Sequence, residues 1–250
     1  MKAILYVGHG TRSKKGAAEA KQFLQSVIEQ THGSIQEISF LELTHPFIEE
    51  GFELCIKKGA TEITVVPLFL LAAGHIKNDI PEALTPLIEK YPNVQVKVAD
   101  PFGVQHQILD AIAELVKEKA GELNGQEAIL IVGRGSSDPV IHEAFAMIGK
   151  GLEQRLGIKH SRLCYLAATT PTFQEGIESI TQETKDRVIV IPYLLFGGLL
   201  LNEINAEVKS RQKNGYQILH TDCLSRHQVI RNIVIARATG KEDEYATTRY

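Results

Sequence analysis

Short apolar runs alternate along this chain with longer stretches in which apolar residues recur every three or four positions. The first run, residues 4–7, joins aliphatic, β-branched and aromatic side chains and predicts a buried strand. Gly8 and Gly10 break it on either side of His9, and a polar run, residues 11–15, opens a helix. From residue 13 to 30 the apolar positions Ala17, Ala20, Phe23, Leu24, Val27 and Ile28 keep helical spacing. Residues 35–43 predict a second strand. Pro46 predicts the start of a helix through Lys58, since the missing N–H of proline does no harm in a first turn. A third strand over 62–71 is followed by a small-residue loop, residues 72–74, and then His75. A helix over about 79–90, a strand over 94–99 and a helix over about 104–120 complete the series.

The pattern then restarts. Residues 121–127, GELNGQE, are polar and glycine-bearing, as a linker is. ILIVGRGSS at 129–137 repeats ILYVGHGTR at 4–12, and LAATTP at 166–171 repeats LELTHP at 41–46. EGIE at 175–178 answers EGFE at 50–53, and VIVIPYLL at 188–195 answers ITVVPLFL at 63–70. Every block stands at the same offset of 125 residues. The expected architecture is α/β: two similar doubly wound parallel-sheet halves, an internal duplication, with a cleft between them. Their bounds are 1–124 and 125–240, with a polar tail at 241–250.

A repeat is its own control, because positions needed for folding should match and positions needed for chemistry need not. His9 becomes Arg134, Glu42 becomes Ala167 and His75 becomes Leu200. Each of the three first-half residues falls at or beyond the carboxyl end of a different strand, the edge at which open α/β sheets bind ligands. Two imidazoles and a carboxylate from three loops suit a divalent metal such as iron, cobalt, nickel or zinc. Local hydrogen bonding explains each residue singly, but not why the second half does without all three. His45, threonine in the second half, is either an outer ligand or part of a helix start. The remaining histidines have no converging partner.

The net charge of −3 shows no basic bias and argues against nucleic-acid binding. The apolar content of 44% is ordinary for a globular protein. No apolar run is long enough for a membrane span or a signal peptide. Cys55, Cys164 and Cys223 form no CxxC pair, which argues against a zinc ribbon or an iron–sulfur site and suits a reducing cytoplasm.

The VGHGTR loop, the FLELTHP segment, the VPLFLLAAGH segment and the duplication together resemble the class II sirohydrochlorin chelatases in their long, two-repeat form. The resemblance runs from residue 1 to about 235. It implies an enzyme that inserts a divalent metal into sirohydrochlorin without ATP, and a monomer, because both halves lie in one chain. Long cobalt-type members often carry a histidine-rich stretch or a cluster-binding cysteine motif. Neither is present here, which favours iron insertion for sirohaem, with cobalt insertion for cobalamin as the alternative. The metal-handling histidines of the family fall on His9 and His75, and its acidic residue on Glu42. In the reaction so implied, Glu42, or one histidine after releasing the metal, would accept the pyrrole protons. No cofactor is implied beyond the metal substrate, Fe²⁺, with Co²⁺ also accepted.

Sirohydrochlorin bears eight carboxylates, so cations are expected at the active edge: Arg12 and Arg134 first, Lys14 and Lys77 as solvated charges. Arg134 could fork a carboxylate bidentately. Two readings compete. Two histidines and a carboxylate also form the ligand set of non-haem iron oxygenases, though those ligands usually lie close in sequence on β-barrels. Paired β/α halves also suit a solute-binding or regulatory module.

Overall fold

A computed structural model describes residues 1–72 and 74–241, with His75 described through its backbone. The chain forms two four-stranded sheets. The first contains β1 (Lys2–Gly8), β2 (Ile35–Phe40), β3 (Glu62–Pro67) and β4 (Gln95–Val98) in the order β2-β1-β3-β4. The second contains β5 (Ala128–Gly133), β6 (His160–Tyr165), β7 (Val188–Pro192) and β8 (Ile218–His220) in the order β6-β5-β7-β8. All neighbouring strands are parallel. The connecting helices are α1 (Lys14–Ile28), α2 (Ile48–Lys57), α3 (Ile80–Lys90), α4 (His106–Ala120), α5 (Pro139–Leu156), α6 (Phe173–Glu183), α7 (Leu199–Lys213) and α8 (Gln228–Thr239). The expected duplication of one α/β unit is therefore present, strand order included.

The central strands β1 and β5 are buried almost throughout because helices cover both faces of each sheet. Ala3, Leu5 and Val7 pack with Ile48, Phe52 and Cys55 of α2 and with Leu84 and Leu87 of α3. Ile4 and Tyr6 point to the opposite face, as strand alternation requires. The second sheet repeats this with Ala128, Leu130 and Val132 against Phe173 and Ile177 of α6 and Ile204 and Val208 of α7.

Strand register carries the repeat to the level of single pairs. Leu5 pairs with Glu37 and Val65, and Leu130 pairs with Arg162 and Val190, each displaced by 125. The displacement does not last. Val65 pairs with Val98 but Val190 with His220, so from the fourth strand onward the offset is 122.

The compact units do not follow the repeat boundary near residue 125. One unit is Met1–Gly103 together with the chain from Ile230; the other is Val104–Val229. The last helix of each repeat thus completes the unit of the other. In the second unit Leu109 of α4 fills the space left by Gly151 of α5, where a Cβ would come within 2.5 Å of it. Arg155 of α5 also donates from Nε to Asp110 of α4 at 2.6 Å. In the first unit Arg231 of α8 lies 5.9 Å from the Phe23 ring of α1, and Arg237 donates to the Pro101 carbonyl at 3.1 Å.

The polar linker is pinned. Asn124 N, Gly125 N and Arg187 donate to the Glu127 carboxylate, whose side chain is 4% exposed. Arg187 donates also to the Ala120 carbonyl at 2.7 Å and so closes the end of α4.

One local expectation is corrected. Pro46 does not start α2. It follows a cis peptide bond, its carbonyl accepts from Phe40 N at 2.9 Å, and the helix begins at Ile48. The helix expected over about 79–90 is α3, which begins at Ile80 directly after a π-helical turn, His75–Asp79. Of the expected tail at 241–250, all beyond Lys241 lies outside the described residues.

Candidate functional site

Beyond the end of β1 the chain runs Gly8–His9–Gly10. Gly10 has φ +94°, and a Cβ on it would stand 1.6 Å from the Glu42 carbonyl oxygen. Only glycine lets these two loops meet. Leu41 N donates to Gly8 O at 2.9 Å and Glu42 N to His9 O at 3.1 Å, so the β1–β2 ladder continues past both strand ends. Thr11 N donates to Thr44 Oγ1, and that hydroxyl donates back to Thr11 O, both at 3.0 Å.

This backbone brings His9 and Glu42 together. His9 Nδ1 lies 3.5 Å from Glu42 Oε1 and 3.2 Å from the Gly10 carbonyl oxygen. Both neighbours are acceptors, so this geometry suits a proton on Nδ1; in the neutral ring that arrangement leaves Nε2 as the nitrogen able to ligate a metal. The His9 side chain is 24% exposed and that of Glu42 47%, so the pair is reachable from solvent. The Phe69 ring packs against the imidazole with centroids 6.0 Å apart.

His75 opens the π-helical turn after the third strand, so its backbone lies beyond the carboxyl end of β3. Its side chain lies outside the described residues. Among the described residues no three His, Cys, Asp or Glu side chains gather to hold a metal. The structure thus joins two of the three expected residues, His9 and Glu42.

In the second unit the same backbone carries other side chains. Gly135 has φ +99°, and a Cβ there would lie 1.8 Å from the Ala167 carbonyl oxygen. Leu166 N donates to Gly133 O and Ala167 N to Arg134 O, at 3.0 and 2.8 Å. Arg134 therefore stands, exposed, on the scaffold that presents His9 in the first unit. Arg12 is exposed in the loop leading to Ser13, whose Oγ accepts from Gly16 N and caps α1. The Thr11–Thr44 lock is replaced: Thr169 Oγ1 lies 3.4 Å from His142, which also lies 3.3 Å from the Tyr165 hydroxyl.

His45 takes no part in the pair. Its Nδ1 meets Glu50 at 2.8 Å, and its ring packs, tilted, with its centroid 4.0 Å from that of Phe47. Glu50 also accepts from Phe47 N at the start of α2; that bond first, and His45 second, hold its carboxyl below the ordinary carboxylate range. His45 thus belongs to the helix start. Burial pushes the Cys55 and Cys164 thiols up to about 12, which leaves them inert. Sequence comparison of the repeats passed over Phe69, although its counterpart is Leu194, because an exchange of one apolar residue for another reads as core packing.

Fold and site define a duplicated α/β protein whose first repeat carries a histidine–carboxylate pair at the strand ends, where the second repeat has Arg134 and Ala167. The CbiX family model matches residues 3–119 and again 128–241, and the chain belongs to the CbiX family. A sirohydrochlorin ferrochelatase of Priestia megaterium is 39% identical over 254 residues, covering 100% of this chain and 96% of the relative. A sirohydrochlorin cobaltochelatase of the same organism is 32% identical over 84% of this chain and 69% of the relative. The solved structure of SirB from Bacillus subtilis with Fe³⁺ superposes with a TM-score of 0.83 at 35% identity, covering 98% of both chains.

Proposed function

We propose that this chain is a lyase-type chelatase, a sirohydrochlorin ferrochelatase that inserts Fe²⁺ into sirohydrochlorin to give sirohaem without ATP. The observation that carries this reading is the end-to-end likeness to a ferrochelatase, which exceeds the likeness to the cobaltochelatase of the same organism in both identity and length.

Metallation replaces two pyrrole N–H protons by one divalent ion. His9, through Nε2, and His75 hold the incoming ion, and Glu42 completes the set. Three protein donors leave positions open for the pyrrole nitrogens and hold the ion less firmly than a closed four-ligand cage. Glu42, half exposed beside His9, accepts protons as they leave and passes them to solvent. Arg134 and Arg12 meet substrate carboxylates. No cofactor enters beyond the metal substrate. No helix among the described residues is long and apolar enough to cross a membrane. The remaining assignments are a monomer of the cytoplasm that takes sirohydrochlorin and Fe²⁺ as partners and no nucleic acid.

Ligand affinity rises from iron to cobalt, so the isolated enzyme accepts Co²⁺ at least as readily as Fe²⁺. A strict preference for Fe²⁺ in direct competition would contradict this. The test of the function is anaerobic incubation with sirohydrochlorin and Fe²⁺, followed by absorption spectroscopy. Replacement of the metal-free spectrum by that of the metallated ring is expected. An unchanged spectrum would leave the oxygenase and binding-module readings standing instead.

A further inference from the structure

Leu43 follows Glu42 directly, and its backbone has φ +62°, a conformation that an L side chain adopts only at a cost. Thr44 N donates to Glu42 O at 2.7 Å across it, closing a γ-turn with Leu43 at its centre. The turn is held from outside: Thr44 is locked to Thr11, and Phe40 N donates to Pro46 O. At this enforced apex stands a large apolar side chain, 47% exposed.

The second unit shows what the turn itself requires. Ala168 occupies the same position with the same φ of +62°, and Thr169 N donates to Ala167 O at 2.8 Å. An alanine therefore closes this turn, and glycine or asparagine would relieve it. Leucine adds nothing to the turn's geometry; it adds exposed carbon beside a carboxylate that lies 3.5 Å from His9. The other exchanges at these strand ends, His9 for Arg134 and Glu42 for Ala167, also distinguish the two units.

We propose that Leu43 is a substrate contact that packs against the face of the tetrapyrrole ring as the ring's centre reaches the His9–Glu42 pair. This rests on the chelatase reading. The rim of sirohydrochlorin is anionic and calls for cations, whereas the face of its conjugated ring offers carbon. An exposed leucine beside the metal-holding pair removes apolar surface from water on both partners. The strained turn sets where that side chain stands before substrate arrives, so little ordering is left to the moment of binding.

The test compares Leu43→Asn with the wild type in three titrations: metal-free sirohydrochlorin by fluorescence, Co²⁺ alone, and thermal melting. Asparagine tolerates the left-handed turn and removes the apolar contact. The expected result is a Kd for sirohydrochlorin raised about tenfold, the scale of losing a few buried carbons. The Co²⁺ affinity should stay within about twofold and the melting temperature at or above that of the wild type, with Leu43→Met recovering most of the lost affinity. Equal sirohydrochlorin affinity in Leu43→Asn and wild type overturns the contact. A parallel loss of Co²⁺ affinity also overturns it, by tracing the effect to Glu42. If the wild type binds the macrocycle and inserts no metal, the chelatase reading fails while the fluorescence comparison still decides the contact. If the wild type does not bind the macrocycle, both fall.

Discussion

His9 and Arg134 occupy one backbone position in two copies of a fold, and the side chain alone decides what each can do. An imidazole can offer a ring nitrogen to a metal ion; a guanidinium cannot, and presents a fixed fork of donors instead. Arg134→Ala is therefore expected to raise KM for sirohydrochlorin about tenfold while kcat changes little, because a rim carboxylate is held alike in ground and transition states. An unchanged KM would remove Arg134 from the site. Phe69→Leu imitates the second repeat, which folds with Leu194 at that position. It should weaken Co²⁺ binding about threefold with little loss of melting temperature, since the imidazole loses a packing partner worth on the order of 0.5–1.5 kcal/mol. Equal Co²⁺ affinity would mean that Phe69 does not orient His9. The histidine and the carboxylate were legible in the sequence because the repeat supplies a control for charged and polar exchanges. Phe69 and Leu43 were not, since nothing in an apolar exchange separates core packing from a site.

The loops beyond the strands are the elements that make the site. Their meeting depends on Gly10 and Gly135, each at positive φ under the carbonyl of a neighbouring loop. Gly10→Ala would force Cβ against the Glu42 carbonyl, and the expected loss in urea unfolding is about 3 kcal/mol or more. A loss under about 1 kcal/mol would show that the loops part easily. Strands and helices were legible from periodicity, because a buried parallel strand reads as a continuous apolar run and a helix as a stripe. The start of α2 was not: Pro46 reads as a first-turn residue, while its carbonyl is engaged by Phe40 N and the helix waits for Ile48. Nor was the π-helical turn at His75, whose wider winding leaves no periodic mark in five residues.

At the scale of the molecule, two repeats do not make two independent halves. Apolar spacing predicts α4 and α8 but cannot say which sheet receives them, and each completes the unit of the other repeat. A chain ended after Val229 keeps every candidate site residue and loses α8, whose Ile230, Ile233 and Val234 are fully buried. It should lose insertion activity and melt at a markedly lower temperature; wild-type activity would show that α8 does not support the site unit. The linker contributes through Glu127. Burial alone would push its carboxyl up, but hydrogen bonds from backbone N–H groups and Arg187 outweigh this and hold it below the ordinary carboxylate range. A group depressed on folding stabilises the protein above its unfolded pKa, and that contribution fades as pH falls through the lower, folded value. Glu127→Gln should thus be less stable than wild type by about 2 kcal/mol at neutral pH. The gap should close on acidification through the carboxylate range and below. A gap independent of pH would show that charge is not its origin.

The division of labour between the repeats is tested most directly by steady-state insertion kinetics of the His9→Ala, His75→Ala double variant with sirohydrochlorin and Co²⁺. With metal handling confined to these first-repeat residues, kcat should fall by at least about a hundredfold. KM for sirohydrochlorin should stay within about twofold, because the macrocycle contacts remain. Insertion at a rate near that of the wild type would contradict the assignment of the metal to the first repeat.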